Sequence, residues 1–386
     1  MITFRILSLI VTLLYMQAAS SQEKTQQSGT NRFLPVEKVL QQAVEDGAFP
    51  GCTAIVGSHD QILWQGAFGT LDETKSSAVK QDTIYDLASL TKVVGTTTVT
   101  MQLVARQKLS LDDTVAKWIP EFVTAEAKAD DSPRTRVTIR HLLTHTSGLP
   151  SWKPFYKTAD SYRSLLEEVT AEPLEVEPGT RYKYSDMGMI LMGEILSRAE
   201  SKPLAKLEQE LVFIPLKMND TLRNPPAALL PRIALTERSS ETGDYIHGVV
   251  HDENSASGEG LTGHAGLFST TGDLAKFAQE MLRALQGESR VLPTEQVRDF
   301  TKRQKLPGNA RRGLGWQTFT SGYSGGTRLS ETAFGHTGFT GTSIWIDPER
   351  DLFLILLTNR VHPTRENGKI GSVRVKFADA VVEATQ

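Results

Sequence analysis

Leu352-Phe353-Leu354-Ile355-Leu356-Leu357-Thr358 is the stretch on which the reading of the fold turns. It is a short apolar run of strand length, and two further β-like runs precede it, Gly315–Thr320 and Thr342–Ile346. A helical pattern follows over about Ile370–Ala384. The other end of the chain carries the same kinds of element. Val36, Val39, Leu40, Ala43 and Val44 recur at helical spacing, with Gly47 as the stop. Two β-like runs come next, Cys52–Val56 and Ile62–Phe68, turned by Ser58-His59-Asp60. Between the two ends the patterns are helical: about Leu87–Gln107, Val137–Leu143, Ser161–Val169 and Met187–Ala199, then Leu274–Leu285 after an N-cap region at Thr271-Gly272-Asp273. The simplest packing joins both ends in one antiparallel sheet flanked by helices and leaves the middle as a mostly helical second lobe. The expected class is thus α/β in the α+β sense. The sheet lobe takes about 32–86 and 311–386, the helical lobe about 87–310, and the cleft between them is the default site.

Composition narrows the function. The chain has 386 residues, 39% hydrophobic and 23% charged, which is globular and not disordered. A net charge of −3 without a long Lys/Arg block argues against a nucleic-acid partner. A lone Cys52 excludes an intrachain disulfide. At the N-terminus, Arg5 precedes the apolar run Ile6–Met16, and the small residues Ala18, Ala19 and Ser20 follow. This is the layout of a cleaved secretory signal over residues 1–20, with a polar tail over 21–31. The apolar run is short for a membrane span, so an uncleaved anchor is the lesser expectation and a periplasmic or secreted protein the greater.

Three segments carry chemistry. In Ser89-Leu90-Thr91-Lys92 a hydroxyl and an amine three residues apart share one helix face. A serine becomes a nucleophile once a base takes its proton. Tyr184-Ser185-Asp186 stands just before an apolar helix and offers a phenol that can serve as base or relay. His336-Thr337-Gly338-Phe339 precedes a β run. Gly338 permits close approach of the backbone, and the amides of Phe339 and Ser89 could form a two-donor oxyanion hole. Taken singly, each segment also reads as structure: a solvated Ser/Lys pair, a packed aromatic, a turn before an edge strand.

Their order and spacing resemble the serine hydrolases that include class C β-lactamases, penicillin-binding D,D-carboxypeptidases and related esterases. Leu142–Leu149, Gly266–Thr270 and Gly313–Trp316 resemble the same family, and the resemblance covers roughly residues 34–384. Tyr184–Gly188 and His251-Asp252-Glu253-Asn254 look nearest the penicillin-binding-protein 4B-like branch. The resemblance implies that Ser89 is acylated, that Lys92 and Tyr184 share its proton and later activate water, that His336 and Thr337 border the site, and that no metal or organic cofactor is required. It implies a peptidoglycan stem peptide, an ester or a β-lactam as substrate; oligomeric state stays open. A catalytically idle peptidoglycan binder is the alternative of another class, and the intact Ser89, Lys92 and Tyr184 argue against it.

Two departures from the family pattern matter. Asp186 stands where Asn is common, and its carboxylate would keep Lys92 charged and leave Tyr184 as base, with a phenol pKa depressed by that charge. His336 stands where β-lactamases often carry Lys, which weakens recognition of a substrate carboxylate and tilts the reading away from a dedicated β-lactamase. Arg360 could supply a carboxylate-binding guanidinium instead. His247, His251, Asp252 and His264 invite a zinc reading, but no His-Glu-x-x-His motif is present, and a cleft-lining loop is the expectation.

Overall fold

The computed structural model describes residues 32–75, 77–123, 132–239 and 242–386, so the expected signal segment and polar tail lie outside the described residues. Helix α1, Leu34–Glu45, leads into strands β1, Gly51–Gly57, and β2, Ile62–Gly69. Strand β3, Tyr85–Asp86, precedes a π-helical segment, Lys92–Thr97, that continues as α2, Thr98–Ala105. Helices α3, Ile139–Leu143, α4, Tyr162–Ala171, and α5, Asp186–Glu200, come next. Then follow β4, Leu222–Arg223, α6, Glu253–Ser257, β5, Leu267–Ser269, and α7, Thr271–Gln286. The chain closes with β6, Gln317–Thr318, β7, Phe334–Thr337, β8, Ser343–Asp347, β9, Leu352–Thr358, and α8, Ile370–Ala384.

The two ends do pair. The main sheet runs β2-β1-β9-β8-β7-β6, antiparallel throughout, with β1 joined to β9 through registers such as Ile55 opposite Ile355. A small sheet, β3-β5-β4, stands apart from it. Strand alternation explains why β9 is apolar at every position before its final Thr358. Leu352, Leu354 and Leu356 pack with Cys52, Ala54, Val56 and Trp345 beneath α1 and α8. Phe353, Ile355 and Leu357 point the other way, into the large core shared with α2, α5 and α7. A strand covered on both faces has no polar face to show.

Local chemistry sets the helix starts. Ser185 caps α5 by accepting from Gly188 N at 3.3 Å, and Thr270, one residue before the expected region, caps α7 by accepting from Asp273 N at 3.2 Å. The segment Phe334–Thr337 is a strand in its own right, paired on both sides by β6 and β8, and not only a turn ahead of one. Its Gly335 hides this from a propensity reading, since a Cβ there would meet Ile344 O and the Trp345 ring. Among the described residues, no helix is long and apolar enough to cross a membrane.

Ile355 is fully buried at the centre of this sheet. Ile355→Ala is expected to destabilise the fold by about 2–5 kcal/mol, read as a lower urea midpoint with an unchanged slope.

Candidate active site

Ser89 lies at the tip of a turn between β3 and the helix that carries Lys92. Ala88, just before it, has φ of 46°, a left-handed conformation that is costly for a residue with a Cβ. Asp86 holds that turn: its Oδ1 accepts from Ala88 N at 2.8 Å and its Oδ2 from His251 N at 2.7 Å. Burial pushes the Asp86 carboxyl up from its ordinary pKa, against the pull of those two amides. Thr340 Oγ1 donates to Asp86 O at 2.7 Å and Thr342 Oγ1 to Leu87 O at 3.0 Å, so the turn after β7 is tied to the same backbone. Gly338 is where the two segments touch. A Cβ there would collide with Thr342 Oγ1 and sit 2.5 Å from Leu87 O.

Lys92 is buried, and three oxygen atoms surround its Nζ. It donates to Ser89 Oγ at 2.8 Å and to His264 O at 3.0 Å, and Asp186 Oδ1 lies 2.8 Å away. Burial pulls the ammonium pKa down, but Asp186 and Tyr184 outweigh it and the net shift is upward. Lys92 is therefore a cation that donates to the serine and has no lone pair with which to take its proton. Asp186 occupies the first turn of α5, where the helix dipole favours a carboxylate.

The Tyr184 ring lies 5.1 Å from Lys92 Nζ, 5.2 Å from the Arg312 guanidinium, 4.5 Å from the His145 ring and 6.0 Å from that of His336. The expected depression of its pKa does not prevail. Burial raises it more than the nearby Lys92 charge lowers it, and Asp186 adds to the rise. Both histidines are held well below the usual imidazole range, first by burial and then by the Arg312 and Lys92 charges. His336 Nδ1 sits 2.8 Å from Thr337 O, which can only accept, so Nδ1 carries the proton. His145 Nδ1 accepts from Ser185 N at 3.2 Å.

Ser89, Tyr184 and Asp186 line one pocket of about 370 Å³ with Trp152, His251, Asp252, Glu253, Phe339 and Arg365. Phe339 is 49% exposed at its rim, with the His251 ring 5.7 Å away. Three expected residues stand elsewhere. His336 is buried behind Tyr184 and does not line the pocket. Thr337 points to the opposite face of the sheet, by strand alternation, and lines a cavity beside Arg374 and Tyr323. Arg360 is not a carboxylate receptor: it is turned inward onto the carbonyls of Phe339, at 2.7 Å, Arg365 and Asn367. The guanidinium on the pocket wall belongs to Arg365, engaged by Glu237 and Glu253.

Sequence reasoning passed over Asp86, Arg312 and the site roles of His145 and Asp252. Asp86 had a signal, an acid two residues before the strained turn, and His145 lies inside the Leu142–Leu149 segment already singled out; Arg312 had none, since only tertiary packing brings it to Tyr184. His251 pairs with Glu237 at 2.9 Å, His264 with Asp252 at 2.8 Å, and His247 Nε2 faces two backbone carbonyls.

The Beta-lactamase family model matches residues 36–376. A protein of Escherichia coli (strain K12) named "Putative D-alanyl-D-alanine carboxypeptidase" is 33% identical over 382 residues, covering 89% of this chain and 85% of its own. An "N-acetylmuramyl-L-alanine amidase" of Bacillus subtilis (strain 168) is 31% identical over 370 residues, covering 88% and 83%. Among solved structures, "EstCE1, a hydrolase with promiscuous acyltransferase activity" superposes with a TM-score of 0.75 at 22% identity, over 92% of this chain and 99% of that one.

Two outcomes follow from this geometry. Gly338→Ala should lower kcat for a 4-nitrophenyl ester by about 10²–10³-fold, since it pushes the Phe339 amide out of place. Asp186→Asn removes the carboxylate that raises both Lys92 and Tyr184. Both limbs of the kcat/KM–pH profile should then move to lower pH, and a profile that overlays wild type would refute the assignment.

Proposed function

The chain belongs to the β-lactamase family, a family of serine hydrolases, and from that premise we propose that it is an exported hydrolase working through an acyl-enzyme on Ser89, with a D-alanyl peptide or a small ester as substrate. The observation that carries the reading is the contact of a charged, buried Lys92 with Ser89 Oγ in a pocket that Tyr184 also lines. Export is supported by the apolar run after Arg5 and the small residues that follow it.

In this mechanism the Ser89 Oγ–H bond breaks as Oγ attacks the substrate carbonyl, and Tyr184, present as the phenolate, takes the proton and becomes the phenol. Lys92 stays an ammonium and stabilises the developing negative charge on both oxygens. The amides of Ser89 and Phe339 face the carbonyl oxygen as it becomes an oxyanion. Tyr184 then protonates the departing amine or alcohol, leaving an acyl ester on Ser89. A water molecule repeats the cycle in reverse, deprotonated by the Tyr184 phenolate, and releases the acid. A raised phenol pKa makes the phenolate scarcer and more basic, and Lys92 and Arg312 beside the ring stabilise it when it forms.

The relatives named for peptidoglycan chemistry support peptides. One observation favours esters as a second reading: the neutral His336 and the inward Arg360 leave a C-terminal carboxylate without the cation that sequence reasoning assigned to it. Intact mass after incubation with benzylpenicillin, on wild type and Ser89→Ala, tests the proposal. A lasting adduct on wild type alone supports a penicillin-recognising peptidase, and turnover of D-alanyl peptides or esters that Ser89→Ala abolishes supports the acyl-enzyme. Undiminished turnover by Ser89→Ala overturns it.

A further inference from the structure

We propose that Asp252 is the specificity-determining residue of this pocket and that it receives an ammonium group of the substrate; the inference rests on the hydrolase reading above and adds the chemistry of the group recognised.

Both hydrogen bonds that fix Asp252 use one oxygen. Oδ1 accepts from Ser255 N at 2.8 Å, at the start of α6, and lies 2.8 Å from His264 Nε2. The side chain is 22% exposed and lines the Ser89 pocket, and Oδ2 makes no hydrogen bond to the described residues. The pocket wall thus presents a carboxylate oxygen held in place by its twin. Burial would favour the neutral acid, but His264, Ser255 N and Lys92 hold the carboxyl far below its ordinary pKa. An acid so hard to protonate is a poor proton acceptor, so this group does not serve as a general base for deacylation. What it offers is a carboxylate paired with His264 through one oxygen and an open acceptor at the other, and the ligand groups that fit it are cationic N–H donors.

The rest of the wall agrees in sign. Arg365 is engaged by both Glu237 and Glu253, and Glu237 also meets His251 Nε2 at 2.9 Å. Lys92 is surrounded by its own three oxygens. Among the described residues Arg365 has Nε and Nη2 committed to Glu237 and Glu253, so a substrate carboxylate entering here meets Asp252 beside a guanidinium already engaged, whereas an ammonium meets an open carboxylate oxygen. His264 links this recognition to the chemistry, because its ring holds Asp252 while its carbonyl accepts from Lys92 Nζ.

The test uses the mature wild-type enzyme and 4-nitrophenyl 6-aminohexanoate, heptanoate and hydrogen pimelate, which differ only in the end group. A second series carries the same three end groups on the alcohol side of the ester. The ammonium ester should exceed its neutral partner at least tenfold in kcat/KM in one series, with the carboxylate ester slowest. In Asp252→Asn the amide keeps Oδ1 for Ser255 and His264 and places an N–H₂ in the pocket, so the preference should fall to within about threefold of unity. Equal kcat/KM for the ammonium and neutral esters in both series, or a preference that survives Asp252→Asn, overturns the proposal. Should that variant fail to fold, competitive inhibition of wild type decides: hexylammonium should bind at least tenfold tighter than hexanol, and equal inhibition constants refute the assignment. If wild type turns over none of the esters and Ser89 takes no label, the hydrolase reading falls and this inference with it. If turnover is normal but indifferent to end group, only the inference falls.

Discussion

A single buried ammonium organises the site. Lys92 brings a full positive charge into the core, a state that burial opposes and that persists because three oxygens meet it. Each oxygen comes from a different part of the chain. Ser89 stands one turn earlier, Asp186 opens α5, and His264 lies in the segment before β5. The charge therefore joins three stretches far apart in sequence, and none can shift alone without leaving it undersolvated. The same arrangement decides the proton chemistry. A lysine that donates to the serine and is held charged by a carboxylate has no lone pair for the serine proton, which is why the proposed mechanism gives the base role to Tyr184, whose ring lies beside the ammonium.

Around that charge the backbone is fixed by a second set of contacts, centred on Asp86. Its side chain binds the amide of the strained Ala88 on one side and that of His251 on the other, and its carbonyl accepts from Thr340. The nucleophile turn, the acidic wall and the turn after β7 are thus tied to one residue. Ala88 keeps a left-handed conformation because the surrounding contacts over-determine it, and the result is a serine displayed at the tip of a turn, ahead of its helix. Gly338 completes the junction by lacking the atom that would hold the segments apart.

Much of this was legible in the residues. The apolar runs at both ends announced the sheet because a strand buried on both faces has no reason to alternate, and Cys52–Val56 and Leu352–Thr358 indeed lie side by side. Ser89, Lys92, Tyr184 and Asp186 were legible through the joint order and spacing of their segments, since each segment taken alone also reads as structure. The failures have a common cause: they depend on orientation, which spacing does not carry. Thr337 is adjacent to His336, yet pleating sends it to the other face. Arg360 sits at the end of β9 as expected, yet the carbonyls of the neighbouring turn claim its guanidinium. Arg312 meets Tyr182 across more than a hundred residues, which no local pattern reveals, and Asp86, whose contact with Ala88 is local, reaches His251 across a similar gap.

The burial that raises the Tyr184 pKa bears on how one site can serve both halves of an acyl transfer. A phenol flanked by two cations and two neutral imidazoles sits in a polar setting with its hydroxyl buried. There the cost of forming the phenolate is set by fixed charges, which need not reorganise during the reaction. His145 and His336 contribute by staying neutral, since protonation of either would place a further cation next to Lys92 and Arg312. A neutral His336 puts no positive charge at the end of β7, so recognition of a charged substrate must come from another wall. The Asp252 wall is the place where a substrate charge can be felt without disturbing the Lys92 cage, because His264 stands between the two: its ring faces recognition and its carbonyl faces the chemistry.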